Sequence, residues 1–328
     1  MHILAFLIRR AVQALVVMFV ISLIGFTIQS NLGDPLRELV GQSVSEAERE
    51  ALRGEMGLKD PFAVQYARFL SKAVRGDLGT SYFFKRPALE VIADKFSATF
   101  ELVIGATLIF VSLSVPAGIY CAINPQSWPA RAIMSFSIIG ISVPVFLTAI
   151  FLVWFFGVEL GWLPAFGRGE TLALPWGWET GFLTADGLAH LLLPSVTLSS
   201  IMLPLFIRLI RAEMMEAMGT EYVRFAQAKG LSPRRIRYVH AFRNTLLPVV
   251  TVGGLQIGTL IAYTILTETV FQWPGMGFLF LEAVNRVDTP LIIAYIIVVG
   301  LIFVIVNTIV DLIYTLINPM VKLPGARA

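Results

Sequence analysis

The 328-residue sequence is poor in charge, cysteine and histidine. Charged residues make up 14%, against about 25% in ordinary soluble domains. With 56% hydrophobic residues and a mean hydropathy of +0.77, a soluble fold could not cover its surface, and an intrinsically disordered chain is equally excluded. The single cysteine, Cys121, excludes a disulfide scaffold. His2, His190 and His240 lie in separate segments, so no metal cluster is visible. The sequence has no G-x-x-x-x-G-K-[ST] phosphate cradle. It also lacks H-E-x-x-H, G-x-S-G and paired aspartates within an apolar run, the sets an intramembrane enzyme would need.

What it has in abundance is long apolar runs. Six stretches of at least 20 residues carry no Asp, Glu, Lys or Arg: 11–33, 102–130, 132–158, 187–207, 244–267 and 289–310. A bilayer core about 30 Å thick needs about 20 such residues in a helix, so the sequence predicts an all-α polytopic membrane protein with six transmembrane helices. Pro116 and Pro144 predict kinks, while His190, Pro194 and Pro204 make 187–207 the least regular span. Arg9 and Arg10 precede the first run, which is too long for a signal-peptide core and is expected to stay uncleaved. Segment 208–243 carries eight basic and three acidic residues, whereas 30–97 carries ten of each. The only basic residues in the short loops on the other side are Arg168 and Arg286. Basic residues collect on the cytoplasmic side, which places both termini there and 30–97 outside. The net charge of +3 thus reports orientation rather than nucleic-acid binding.

Two extramembrane segments punctuate the spans. In 30–97, Ser45 and Glu48 read as a capping box opening a short helix to Arg53. Pro61 starts a second helix to Val74, with Phe62, Tyr66, Phe69 and Leu70 on one face. That face could pack as a cap or dock an external partner. In 208–247, Met214, Met218, Tyr222, Phe225 and Ala226 recur at helical spacing, predicting a helix over 212–229. Gly230 is a natural C′ residue, Ser232 an N-cap and Pro233 a first helical residue. The apolar stripe needs a protein partner or an adjacent helix, or else lies flat on the bilayer. The natural division is 1–97, the first span with its external segment, and 98–328, five spans carrying the loop 212–247.

The run Glu221-Tyr-Val-Arg-Phe-Ala-Gln-Ala-Lys-Gly230, with Leu-Ser-Pro-Arg-Arg and His240-Ala-Phe-Arg-Asn-Thr-Leu-Leu-Pro248, resembles the cytoplasmic loop of ABC importer permeases. More narrowly it resembles the first permease of dipeptide and oligopeptide importers. Gly33-Asp34-Pro35, Gly57-Leu-Lys-Asp-Pro61 with Val64-Gln-Tyr66, Gly76-Asp-Leu-Gly79, Leu160-Gly-Trp-Leu-Pro164 and Trp273-Pro-Gly-Met-Gly277 agree along nearly the whole chain. The family loop usually reads Glu-Ala-Ala, three residues, Gly. Here Arg224 and Phe225 stand at the first two positions, and only Ala226 and Gly230 match strictly.

The resemblance implies a type I importer permease fold in the bacterial inner membrane, paired with a second homologous permease. It also implies two ATPase subunits beneath and an external solute-binding protein. This chain would bind no cofactor, with ATP and Mg on the partners. Cargo would be di- or oligopeptides; nickel, glutathione or another small solute is the alternative. Glu221, Tyr222, Phe225, Ala226, Ala228 and Gly230 would form the coupling helix that meets the ATPase.

In the fifth span, Gln256, Thr259, Tyr263 and Thr267 lie at spacings of three to four on one face, and Glu268, near its outer end, is a further pathway candidate. The stripe either lines the pathway or bonds to neighbouring helices. Glu101, Glu268 and Asp311 fall near span ends, where a charge can reach the headgroups. Gly254, Gly258 and Ala262 repeat at four-residue steps, which lets helices approach closely, and the subunit contact is expected in or near this span.

Overall fold

A computed structural model describes residues 2–31, 50, 54 and 59–317. The capping box at Ser45 lies outside them. The described chain is almost wholly helical: α1 (His2–Asn31), α2 (Phe62–Ala73), α3 (Ala88–Ile123), α4 (Trp128–Ser142) and α5 (Val145–Leu152), which continues as a π-helical turn (Val153–Glu159). Strands β1 (Leu172–Leu174) and β2 (Trp178–Thr180) form a small antiparallel hairpin, with Ala173 opposite Glu179. Helices α6 (Ala185–Gly219) and α7 (Glu221–Ala228) follow. A short turn (Pro233–Arg235) and a second π-helical turn (Ile236–Ala241) then lead into α8 (Phe242–Val270). Helices α9 (Met276–Asn285) and α10 (Thr289–Ile317) complete the order.

Among the described residues, five segments are long and apolar enough to cross a membrane: Ile8–Ile28, Ala88–Ile123, Ala185–Gly219, Pro233–Val270 and Thr289–Ile313. The sixth is α4 with α5, which meet at 106°. The run expected to span over 132–158 is therefore a broken pair, and the number of spans is six when the pair counts as one. Val143, next to Pro144, is extended (φ −87°, ψ 122°), the conformation a following proline favours. Pro116, Pro194, Pro204 and Pro248, by contrast, lie inside uninterrupted helices. The charge-free stretch 102–130 also exceeds its helix. The chain leaves α3 at Ile123 and turns through 124–127, and Ser127 caps α4 by accepting from the Ala130 amide.

The chain packs as two compact units. The first combines the described residues up to 96 with 275–305. Here the predicted aromatic face of α2 packs on α1: the Phe26 ring meets Phe62, Tyr66 and Phe69 at 5.3, 5.6 and 5.4 Å between centroids. The Tyr66 and Ser22 hydroxyls share a 2.8 Å hydrogen bond. That face is cap packing within the chain. Asp288 knots the turn after Gly79: its buried carboxylate accepts from the Ser81 hydroxyl and from the Tyr82 and Phe83 amides at 3.1 and 3.2 Å. Next to it, the Arg286 guanidinium stacks 3.4 Å from the Phe83 ring centroid.

Of the described residues, the second unit comprises 97–274 and 306–317. Within it α3 meets α6, where the Phe110 and Phe206 rings touch. A Cβ on Gly118 would fall 2.7 Å from the Ile210 Cβ, so only glycine lets these helices come so near. The loop after α5 is folded rather than slack. Arg168 reaches into the unit and donates to Glu101 from Nε (3.0 Å) and Nη2 (2.8 Å), and to the Glu179 carbonyl at 2.8 Å. The other Glu101 oxygen accepts the Gly181 amide at 2.7 Å. Thr184 then opens α6 by capping the Gly187 amide.

Candidate functional site

The loop between α6 and α8 is the most sharply built feature of the second unit. The helix predicted over 212–229 breaks at Gly219. Thr220 is extended (φ −75°, ψ 155°), and its hydroxyl folds back to the Ala217 carbonyl. The Met214–Ala226 periodicity runs through this break, because two helices in succession can keep the same apolar spacing. α7 therefore stands as a separate eight-residue helix. Gly230 lies at φ +75°, and a Cβ on it would have no neighbour within 4 Å, so glycine serves the backbone conformation alone. Its amide bonds to the Gln227 carbonyl, and Leu231 bonds back to Ala226. Ser232 then caps the next turn through the Arg235 amide, with Pro233 in its first position, as expected from the sequence.

The two faces of α7 differ. Val223 and Ala226 are buried against Leu231 and Ile236, so Ala226 belongs to the inner face rather than to an outward stripe. Tyr222 and Phe225 lie outside that cluster: Phe225 is 62% exposed, and Tyr222 is 38% exposed with its hydroxyl 3.5 Å from the His240 carbonyl. The Lys229 ammonium rests 4.5 Å over its ring. Glu221 pairs with Arg224 at 2.9 Å, fully at the surface, where such a pair adds little stability. Ala228 and Gly230 are exposed at the tip. An aromatic pair on a short, internally braced helix suits insertion into a groove. Val223 and Ile236 escape a reading of the sequence. Val223 lies three residues before Ala226, which is a usable signal, but Ile236 reaches α7 only through the turn at Gly230.

In α8, Gln256 and Thr259 are partly buried and Tyr263 is exposed, whereas Thr267 and Glu268 are buried. Glu268 accepts from the Thr99 hydroxyl at 2.6 Å. With Glu101 bound to Arg168, both carboxylates are enclosed by donors of this unit. Gly254 presses on Val310, so at that point the small-residue stripe serves packing within the chain. Gly258 is buried and Ala262 exposed on the same helix. Among the described residues, no group of three or more His, Cys, Asp or Glu side chains could hold a metal.

Comparison with known proteins agrees with this architecture. Residues 114–323 match the family described as binding-protein-dependent transport system inner membrane component. Residues 3–103 match the corresponding N-terminal family. The chain is 36% identical over 332 residues to the dipeptide transport system permease protein DppB of Alkalihalophilus pseudofirmus, covering 97% of this chain and 99% of that protein. It is 35% identical over 318 residues to the glutathione transport system permease protein GsiC of Shigella flexneri, covering 97% and 98%. Two solved structures of the MetNI methionine ABC transporter in inward-facing conformations superpose with TM-scores of 0.53 and 0.56. Both are 15% identical and cover 71% of this chain and 98% of theirs, a likeness of fold. That fold is the type I importer permease fold expected from the sequence. A match over most of the chain, on a multi-pass helical architecture, makes this protein a member of the inner-membrane permease family of binding-protein-dependent ABC transport systems.

Proposed function

We propose that this chain forms half of the translocation pathway of an ATP-driven importer of small peptides, with α7 as its contact to a partner ATPase. The observation that carries the reading is the outward pair Tyr222 and Phe225 on a helix whose other face is fixed by Val223 and Ala226. A helix that presents aromatics to solvent while braced from behind is built to transmit force to whatever covers it. A second homologous permease completes the pathway, two ATPases hold ATP and Mg, and an external binding protein delivers cargo. The basic 208–243 segment orients the loop toward the cytoplasm, with both termini on that side. Dipeptides and glutathione, named for two relatives, share peptide-bonded backbones, which supports small peptides as the cargo class.

The test is reconstitution of the chain with its second permease, ATPases and binding protein in proteoliposomes. Uptake of labelled dialanine or glutathione should require both ATP and the binding protein. Flux that needs neither, or no uptake of either peptide, overturns the reading.

A further inference from the structure

We infer that Ile236 is the positioning residue through which α7 moves span five, and that the π-helical turn it opens converts this push into a one-residue register shift of α8. The inference rests on the proposed docking of α7 to an ATPase.

Helix α7 joins the spans on two sides, and the two connections differ. Toward α6 the link is the extended Thr220, a break in the helix. Toward α8 the link is packing: Val223 and Ala226 enclose Ile236. The Tyr222 hydroxyl also reaches the His240 carbonyl at 3.5 Å. α7 therefore touches the π-helical turn Ile236–Ala241 near both its ends. A displacement of α7 is absorbed by a bend on the α6 side and delivered to side chains on the α8 side.

The turn can receive such a displacement. The Phe242 amide donates to the Arg237 carbonyl five residues back, not four. A π-helical turn holds one residue more than the α-helix it interrupts and is common at functional sites. Within it the imidazole Nε2 of His240 is buried without a hydrogen-bond partner, so turning that ring breaks no bond at Nε2. Tyr238 and Val239 are exposed, while Ile236 and Ala241 anchor its ends in the core. Moving the extra residue out of the turn would advance α8 by one position. That is about 1.5 Å along its axis and about 100° around it, or about 4 Å at a Cα atom.

The experiment uses the complete complex carrying Cys121→Ser, with spin labels on Leu108→Cys in α3 and Leu266→Cys in α8, both exposed and in the same unit. Electron spin resonance reads the distance between labels with and without a non-hydrolysable ATP analogue. A nucleotide-dependent shift of about 4 Å or more is expected. Deletion of Val239, which removes the extra residue and leaves nothing to pass into α8, should hold the nucleotide-free distance with and without nucleotide. Ile236→Ala should abolish the shift and Ile236→Val restore it, a rescue that general destabilisation would not show. No shift in the parent complex, or the parent's shift persisting in both the deletion and Ile236→Ala, overturns the inference. Crosslinking from Gln227→Cys on α7 to the ATPase separates the two failures. If the crosslink forms, only the register shift is wrong; if it does not, the docking of α7 fails with it.

Discussion

Arg168 and Glu101, 67 positions apart in sequence, meet in a buried ion pair at 2.8 Å, their side chains 9% and 2% exposed. The pair fastens the loop that carries the β1–β2 hairpin to α3. Removing one partner leaves the other charge enclosed, so Glu101→Gln or Arg168→Met alone should destabilise the chain by about 3–5 kcal/mol. The double substitution should cost less than the two single effects added together. Thermal melts of the four proteins in detergent check this, and additive losses would show that the two charges are not coupled.

At Gly230 the left-handed backbone alone selects glycine, because a Cβ there meets nothing. Gly230→Asn, which tolerates that conformation, should leave transport near normal. Gly230→Val should cost about 1–2 kcal/mol of local strain and reduce transport relative to ATP hydrolysis. The ratio of peptide taken up to phosphate released, at matched membrane abundance, is the measurement.

The two faces of α7 should separate stability from assembly. Phe225→Ala removes an exposed ring and should change the melting of the isolated chain by no more than about 0.5 kcal/mol. If Phe225 anchors the ATPase, affinity should fall by about 2 kcal/mol, near thirtyfold. Val223→Asp should instead unseat α7 from Ile236 and show as protease cutting near 220–231. Equal effects of both substitutions on ATPase affinity, with no nicking, would contradict the assignment of faces.

Gly254 lies directly against the Val310 side chain. Gly254→Leu should destabilise the α8–α10 contact by about 1–3 kcal/mol through overpacking. Trimming the neighbour in the pair Gly254→Ala with Val310→Ala should recover more stability than Gly254→Ala alone. A melt series on these variants decides whether the contact is as close as described.

How much of this is legible in the sequence depends on the range of the forces involved. Gly230, Ser232 and Pro233 are readable because each acts on its own backbone, and the α2 face because Phe62, Tyr66 and Phe69 recur locally. Five interior prolines cannot be ranked, since Pro144 marks a 106° break while Pro116, Pro194, Pro204 and Pro248 stay within helices. What separates them is neighbouring packing, which no short window holds. The inward turn of Ala226 escapes for the same reason: its partner Ile236 arrives only after the chain has turned. Arg168 and Asp288 look like ordinary loop charges, because Glu101 and Ser81 are distant along the chain.

The break at Pro144 bears on how long such a chain survives in the cell. Pro144 has no amide hydrogen to offer the Gly140 carbonyl, and the limbs on either side expose Phe136, Ile139, Phe146 and Phe151. Each limb is 15 residues, about 22 Å, short of a bilayer core of about 30 Å. Hydrocarbon offers no donor to a freed carbonyl, so the bend needs cover from protein or water. If the second permease proposed above supplies that cover, a copy without it leaves the bend exposed, and its lifetime becomes a matter of mass action. On that reading, partner supply rather than transcription of this chain alone sets how many copies persist.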